Sequence, residues 1–208
     1  MGDVWAMEAA VRGGGVAVVA VVAVALAGCG SGGEVAAPPH AAPSYTAPSV
    51  PQFGNGCAAV PADPANPGSF EAMAAKPVAS ALAGSEGLSG LAEGFKRAGL
   101  VSSLNDAAGL TVFAPTDGAF EKLPAARRHA LGADKKQLAG MLSGHVVPQR
   151  LTPSQLPGSH TTLSGAKVTV TSQGGVVKVN GSAEVVCANV QTKNATVYLV
   201  DTVLTAAE

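Results

Sequence analysis

The chain has little charge and few aromatic residues, and both shortages exclude classes of function. Its 208 residues include 13 Lys or Arg and 14 Asp or Glu, a formal net charge of −1 with no long run of either sign. Nucleic-acid-binding domains carry a basic patch or stripe, so we expect no nucleic-acid partner. Aromatic residues make up 4% of the chain. Those after Cys57 all stand at core-like positions, which leaves no spare ring to stack on sugars or bases: Phe70, Phe95, Phe113, Phe120 and Tyr198.

Motifs for catalysis and cofactor binding are also missing. No pair among the four histidines has metal-ligand spacing with acidic or cysteine neighbours, and no glycine loop has the form that cradles phosphate. A run around Ser85 resembles the nucleophile elbow of hydrolases only faintly, because that motif follows a strand and the pattern here predicts a helix before it. We therefore expect no enzyme activity, no metal and no cofactor.

Residues 1–28 predict a lipoprotein signal peptide. Val16–Leu26 is an unbroken run of Val, Ala and Leu, shorter than the about 20 apolar residues that span a bilayer. It leads into Leu26-Ala27-Gly28-Cys29, which resembles a bacterial lipobox; the resemblance implies cleavage before Cys29 and a diacylglycerol on its thiol. An ordinary signal peptide or an anchor helix is the alternative. Because two or more acyl chains anchor a protein stably, we expect lipid attachment, including palmitate, to the outer face of the membrane.

Residues 29–56 predict a linker that carries the domain away from the membrane. Prolines, small residues and a single charge, Glu34, cannot bury a core. As a flexible coil, a segment of this length spans on the order of 30 Å, which suits display at the cell surface. Three hydroxyl residues beside prolines are candidate O-glycosylation sites, with an unmodified linker as the alternative: Ser44, Thr46 and Ser49.

The cysteine count indicates a disulfide. Three cysteines are an odd number, but lipidation of Cys29 leaves Cys57 and Cys187 as a pair. An even remainder in an exported protein is typical of a disulfide. Closing a loop of order 100 residues contributes about 4–5 kcal/mol in the loop-entropy model. Two buried free thiols are the alternative.

The first part of the domain predicts helices. Ser69–Leu82 favours a helix with Ser69 as its cap and an interruption at Pro77. A second helix is predicted by apolar residues at helical spacing, with Gly99 as a stop: Leu88, Leu91, Ala92, Phe95 and Ala98. Further helical faces follow Phe120.

The last part of the domain predicts strands. From Ser159 the apolar period changes to two, and Val168 and Val170 alternate with threonines. Gly174-Gly175 and Asn180-Gly181 are hairpin turn signals. Helices followed by strands predict an α+β fold, with N-terminal helices packed on a β-sandwich or wedge and a late antiparallel meander.

The run TVFAPTDGAF, residues 111–120, changes structural type in its middle. Its first three residues suit a strand, which should stop at Pro115 because proline cannot donate to a ladder. Thr116 is then placed as a helix cap whose hydroxyl accepts a backbone N–H. Asp117 lies where a negative charge meets the positive helix end.

This run resembles the first signature of the fasciclin-type (FAS1) domain family, approximately TVFAPTxxAF. A second signature at residues 195–204 is similar to the family's closing strand, which ends in an aspartate, here Asp201, and apolar residues. The resemblance extends from residue 70 to 204 and implies one FAS1 domain, assigned to residues 57–208. We expect Phe113 and Phe120 to turn into one core, so the matching residues are packing and capping parts: Thr111, Phe113, Pro115, Thr116, Asp117 and Phe120. Secreted fasciclin-type antigens of actinobacteria carry a cysteine pair similar to the one here.

One position departs from the family pattern. Many FAS1 domains carry a Tyr-His pair after the central helix, in a region implicated in cell adhesion, whereas this chain has Gly144-His145. Without the tyrosine, adhesion through that motif is not expected. We expect His145 to be a core histidine that is hydrogen-bonded to the backbone.

The resemblance implies a noncatalytic module for adhesion or interaction at the cell surface. Its partner would be an unidentified protein or cell-wall glycan, from the host or the cell wall, and exposure would make the protein an antigen. The alternative is a carrier or sensor of an apolar ligand in the cell envelope, bound between helices and sheet. An enclosed apolar pocket would favour that alternative.

Overall fold

The computed structural model describes residues 51–204, which belong to one compact unit, Thr46–Glu208. Within the described residues lie both hydrophobic clusters, the whole seven-stranded sheet and the disulfide. This unit thus holds a complete core of its own, as an independently folding domain does. The predictions for the signal peptide at 1–28 and for most of the linker lie outside the described residues, together with their modification sites: Cys29, Ser44, Thr46 and Ser49.

Several of the helices start or stop where local chemistry predicts. A 3₁₀ helix at Asn55–Ala59 precedes seven α-helices within the described residues. These are α1 (Phe70–Ala74), α2 (Val78–Ala83), α3 (Ser89–Ala98), α4 (Val101–Asp106), α5 (Asp117–Glu121), α6 (Ala125–Ala133) and α7 (Lys135–Ser143). Ser69 Oγ accepts a hydrogen bond from the Ala72 amide at 3.2 Å, which caps α1 as predicted. Pro77 separates α1 from α2, and Gly99 ends α3 with a φ of 75°.

One of these boundaries was not predicted. Asp134 separates α6 from α7, because its carboxylate accepts from the amides of Lys136 at 2.8 Å and Gln137 at 3.1 Å. The bond from Gln137 and then the bond from Lys136 hold the pKa of Asp134 below its usual value. This cap therefore ends α6 and starts α7, where the sequence shows only a succession of helical faces.

Seven strands form one sheet in the order β2-β1-β7-β6-β5-β4-β3. They are β1 (Leu110–Pro115), β2 (Val146–Val147), β3 (Gly158–Thr161), β4 (Lys167–Gln173), β5 (Val176–Val179), β6 (Ala183–Gln191) and β7 (Ala195–Val200). Strands β3 to β7 are antiparallel neighbours in chain order, so the late meander and the α+β class are confirmed. The parallel pairing of β1 with β7, which places Phe113 beside Tyr198, was not predicted.

The hairpins follow the predicted turn signals. Gly174 and Gly175 have φ angles of 59° and 84°, and Asn180 and Gly181 have 51° and 70°. Positive φ at both central residues is the type I′ geometry that matches the twist of paired strands. In β6 the register to β7 shifts on both sides of Cys187, and such irregularities bend a strand and increase its twist. The sheet can therefore wrap two cores instead of remaining flat.

The two cores lie on opposite faces of β1 and β7. The helix-side core contains Val112 and Val197, whereas the strand-side core contains Phe113 and Tyr198, since successive strand residues point to opposite faces. Phe120 packs against the helix-side core. The prediction that Phe113 and Phe120 share one core is therefore wrong, because the strand alternation sends Phe113 to the far side of the sheet.

The N-terminal part of the domain is fastened to β6. The Ala188 amide donates to the Phe53 carbonyl at 2.8 Å, so contacts with the sheet begin inside the segment predicted as linker. Cys57 and Cys187 are joined by a disulfide, the pairing that the cysteine count indicates. The strap formed by residues 53–59 thus has both a covalent and a backbone attachment.

Candidate functional site

The corner at residues 111–120 is held mainly by its backbone. The Thr116 amide donates to the Val200 carbonyl at 3.1 Å, and the Thr116 carbonyl accepts from the Ala119 amide at 2.8 Å. Thr116 is the cap residue of α5, yet its hydroxyl makes no capping hydrogen bond. The predicted side-chain cap is wrong, because Ala119, a potential donor to that hydroxyl, bonds to the Thr116 carbonyl instead.

Asp117 braces this corner by reaching a second helix. Its carboxylate accepts from the Ser89 hydroxyl at 2.6 Å and from the Gly90 amide at 2.8 Å, both at the start of α3. Its own amide donates to the Gly87 carbonyl at 2.8 Å. Leu88, the residue before α3, has no side chain that could cap it. Asp117 therefore supplies from a distance the cap that the local sequence of α3 lacks.

Replacing Asp117 with alanine should lower the free energy of unfolding by about 1–2 kcal/mol, the usual cost of losing a helix cap. Urea unfolding measures the change. Asp106→Ala removes an exposed aspartate at the end of α4 and serves as the matched control, with an expected change within about 0.5 kcal/mol. Equal losses in the two variants would contradict the capping role.

Thr111 and Asp201, the other polar residues of the two signatures, also join separate segments. Thr111 Oγ1 donates to the Gln149 carbonyl at 2.7 Å and accepts from the Leu151 amide at 2.8 Å. Asp201 accepts from Lys122 Nζ at 2.9 Å and from the Glu184 amide at 2.9 Å. Partial burial opposes the charge of Asp201, but these hydrogen bonds outweigh it, so the pKa of the carboxyl is lowered.

His145 is fully buried and bonded at both ring nitrogens. Nε2 accepts from the Leu204 amide at 2.9 Å, so the proton resides on Nδ1, which donates to the Met141 carbonyl at 2.9 Å. Burial lowers the pKa of His145 to about 4, although the bond to Met141 opposes this shift. The histidine is therefore a neutral core residue that ties α7 to the segment after β7, as the sequence predicts.

Asn194 has a bracing role that nothing in the sequence marks. Its Oδ1 accepts from the Val78 amide at 2.9 Å, and its Nδ2 donates to the carbonyls of Leu104 at 2.7 Å and Ala107 at 2.8 Å. One amide side chain thereby joins the start of α2, the end of α4 and the turn before β7. This bracing is structural and uses all the polar atoms of the side chain.

Reactive side chains do not cluster into a metal-binding centre within the described residues. No group of three or more His, Cys, Asp or Glu side chains there could hold a metal ion. Ser85 lies in the turn after α2, and its hydroxyl is buried against Met73 Sδ at 3.1 Å and the Ala81 carbonyl at 3.3 Å. None of the helices in this part of the chain has the length and apolar character that a membrane crossing requires.

Two apolar clefts indent the helical side of the domain. The α3–α7 cleft, about 300 Å³, lies between α3, α5, α6 and α7, and its rim carries Glu93, Arg97 and Arg128. Its apolar lining comprises Phe120, Leu123, Leu131, Leu138 and Met141. The α4–β2 cleft, about 270 Å³, lies beside α4 and β2 and has no charged residue in its lining. Leu163, 48% exposed, stands at this second cleft. Both clefts are concave and mainly apolar, as small-molecule sites usually are.

The fold and the two signatures together define a FAS1 module. The model of the Fasciclin domain family matches residues 86–206, more than half of the chain. The chain belongs to the fasciclin family.

Two mycobacterial relatives extend this similarity beyond the domain. The cell surface glycolipoprotein MPT83 of Mycobacterium tuberculosis (strain H37Rv) is 41% identical over 203 residues, covering 89% of this chain and 91% of the relative. The immunogenic protein MPB70 of Mycobacterium bovis is 38% identical over 191 residues, covering 89% and 95% respectively. Neither name is that of an enzyme.

A solved structure supports the same fold. It is a FAS1 domain pair from the insect cell adhesion molecule fasciclin I, similar with a TM-score of 0.52 at 16% identity. The match covers 64% of this chain and 52% of the insect chain, so this chain spans about half the length of that pair.

Proposed function

We propose that this chain is a lipid-anchored cell-surface protein whose FAS1 domain acts as a noncatalytic interaction module and surface antigen. The observation that carries the proposal is the similarity to a relative named a cell surface glycolipoprotein. The matched region covers 89% of this chain. Even if all the unmatched residues lie at the N terminus, the matched region includes Cys29. The name of that relative also supports lipid on Cys29 and sugar on the linker hydroxyls: Ser44, Thr46 and Ser49.

The anchor is tested by replacing Cys29 with alanine. In the native bacterium the unchanged protein should incorporate labelled palmitate and remain with the membrane fraction, because two or more acyl chains hold a protein there stably. The Cys29→Ala variant should lose the label and most of its membrane retention. Ser31→Ala, two residues away, is the matched control and should behave like the unchanged protein. Palmitate incorporation by Cys29→Ala would contradict the assignment.

The interaction role predicts saturable binding by the domain. The soluble unit Thr46–Glu208, labelled with a fluorophore, should bind intact host cells or purified wall polysaccharide and be displaced by unlabelled protein. Binding that does not saturate, or that persists after heat unfolding of the domain, would contradict the proposal. Proximity labelling on intact cells would then identify the partner.

A carrier of an apolar ligand is the second candidate. Neither of the two clefts is an enclosed pocket, but both offer apolar, concave surface that supports it. Apolar, concave surface is the usual lining of a small-molecule site. Mass spectrometry of an organic extract from natively purified protein separates the candidates. A lipid recovered in near-stoichiometric amount, with no saturable binding to cells or wall polymers, would favour the carrier.

A further inference from the structure

The rim of the α3–α7 cleft carries two arginines against one glutamate. A guanidinium nitrogen of Arg97 on α3 donates to the Gly132 carbonyl on α6, which holds the side chain across the end of the cleft. Arg128 on α6 lines the same cleft, and its guanidinium makes no hydrogen bond or ion pair within the described residues. Glu93 lies 4.0 Å from Lys96 in a weak exposed pair. The rim therefore keeps an excess of hydrogen-bond donors and of positive charge.

The surface around this rim reinforces that charge. Three further cationic groups, on α6 and at the adjacent end of α7, are exposed: Arg127, Lys135 and Lys136. They outnumber the acidic groups of the same segment, Glu121 and Asp134. The whole chain has a formal charge of −1, so positive charge is concentrated here rather than spread evenly. Such a local excess attracts anions and raises their concentration near the cleft.

The lining of the cleft suits hydrocarbon. Leu131 and Leu138 are buried at its base, whereas Phe120, Leu123 and Met141 are only partly buried and leave apolar surface open to the cleft. Covering that surface with an alkyl chain removes apolar area from water on both partners, which favours binding. Methionine and leucine side chains also adapt to a flexible chain.

We propose that the α3–α7 cleft binds the monomeric carboxylate form of a single-chain amphiphile, a fatty acid. Its alkyl chain lies on the leucine and methionine lining, and Arg128, assisted by Arg97, holds the carboxylate. Guanidinium groups fit carboxylates with two parallel hydrogen bonds, and a guanidinium beside apolar surface distinguishes this ligand from a neutral lipid. The α4–β2 cleft has no charge to make that distinction. This inference gives the carrier candidate its ligand class and rests on it.

The test compares decanoate with decanol, which share one alkyl chain and differ in the charged head. Both are titrated into the ¹⁵N-labelled unit Thr46–Glu208 and followed by amide chemical shifts. Decanoate should bind saturably, shifting amides of α3, α6 and α7, and decanol should bind about tenfold more weakly, since a hydrogen-bonded charge is worth about a tenfold factor or more.

Three variants assign this difference to the rim. Arg128→Gln should weaken decanoate binding about five- to tenfold and leave decanol binding unchanged. Arg127→Gln is the matched control, because Arg127 is the adjacent exposed arginine of α6 and does not line the cleft. Glu93→Gln should strengthen decanoate binding, since it removes the one negative charge of the rim.

The outcomes separate this inference from the functions on which it builds. Equal affinity for decanoate and decanol, or equal effects of the two arginine variants, would overturn carboxylate recognition and leave an apolar carrier. Amide shifts confined to residues of the α4–β2 cleft would overturn the inference as well. So would a domain that binds only to vesicles of anionic phosphatidylglycerol. No saturable binding of either probe would overturn both the inference and the carrier function of this cleft. The anchored interaction module is tested separately, by localisation and cell binding.

Discussion

Replacing Cys57 and Cys187 together with alanine is expected to lower the free energy of unfolding by about 4–5 kcal/mol. The disulfide joins residues 130 positions apart, so it closes a loop that contains almost the whole domain. In the loop-entropy model, a crosslink around a loop of this order restricts the unfolded chain by that amount. Domains of this size are stable by only about 5–15 kcal/mol, so the variant should be marginal at physiological temperature.

The structure adds a local consequence to this global one. Cys187 is fully buried in the helix-side core, and the neighbouring Ala188 carries the backbone bridge to Phe53. Gly54 and Gly56 approach Val186 so closely that an added side-chain carbon would lie within 3 Å of it. Without the covalent link, the strap at residues 53–59 keeps only this packing and the bridge. Its amides should therefore exchange with solvent before those of the sheet.

Urea unfolding of the double variant beside the oxidised and reduced unchanged protein measures the effect. Reduction should reproduce most of the loss, because it opens the same loop. Phe53→Ala, which shortens an exposed side chain of the strap and keeps the disulfide, is the control and should cost less than about 1 kcal/mol. A double variant less than about 1 kcal/mol below the oxidised protein would mean that the crosslink contributes little to stability.

The parts of the fold that were predicted from sequence depend on neighbours along the chain. The alternation at Val168 and Val170 belongs to β4. The turn at Asn180-Gly181 joins β5 to β6, which are close in sequence. The cap at Ser69 and the stop at Gly99 need only the residues of one helix turn. Such signals depend on residues within a few positions of each other, so they can be interpreted without knowing the rest of the structure.

The parts that were missed depend on residues far apart in the chain. Thr111 pairs with Thr196 in the parallel β1–β7 ladder, and no local pattern selects that partner. Asp117 reaches α3 rather than only the start of its own helix. Asn194 joins α2, α4 and β7. These contacts form only when the sheet has brought its elements together, so the sequence does not mark the distant partners of these residues.

The α3–α7 cleft was not predicted from the sequence, and it lies among helices rather than between helices and sheet. The sequence allowed an apolar ligand between helices and sheet, but it did not locate a cleft. The α3–α7 cleft joins Arg97, Phe120, Arg128 and Met141 from four helices. Each residue has an ordinary role on its own helix, as an exposed cation or an apolar face residue. They form a site only where they come together in the fold. The packing of the helices brings them together, and their spacing along the sequence does not reveal this.

Acidification from pH 7 to pH 4 is expected to lower the free energy of unfolding by about 3 kcal/mol through His145 alone. Its pKa is about 4 in the folded protein and 6.5 in the reference state. Because the unfolded chain takes up the proton more readily, stability is complete above about pH 6.5, falls as the pH drops below it, and levels off near pH 4. Each unit of difference corresponds to about 1.4 kcal/mol.

The pH range in which stability is lost distinguishes His145 from the aspartates with shifted pKa values. Asp134 and Asp201 have pKa values lowered from 3.8, so the stability that they contribute is lost only at pH values below about 4. Urea unfolding between pH 7.5 and pH 4 should therefore report mainly on the histidine. His145→Gln, whose amide can still donate and accept, should be less stable at pH 7 but nearly independent of pH in this window.

His160→Gln is the matched control for that measurement. His160 is only partly buried, and its Nε2 contacts the Leu156 carbonyl at 2.9 Å, so this variant should keep the full decline of the unchanged protein. The prediction would be contradicted if the free energy of unfolding still fell with pH in His145→Gln but no longer fell in His160→Gln. The effect would then belong to His160. The reason to expect the opposite is structural. The Nε2 of His145 must remain unprotonated to accept from the Leu204 amide, so protonation both charges a buried ring and breaks the bond to the segment that follows β7.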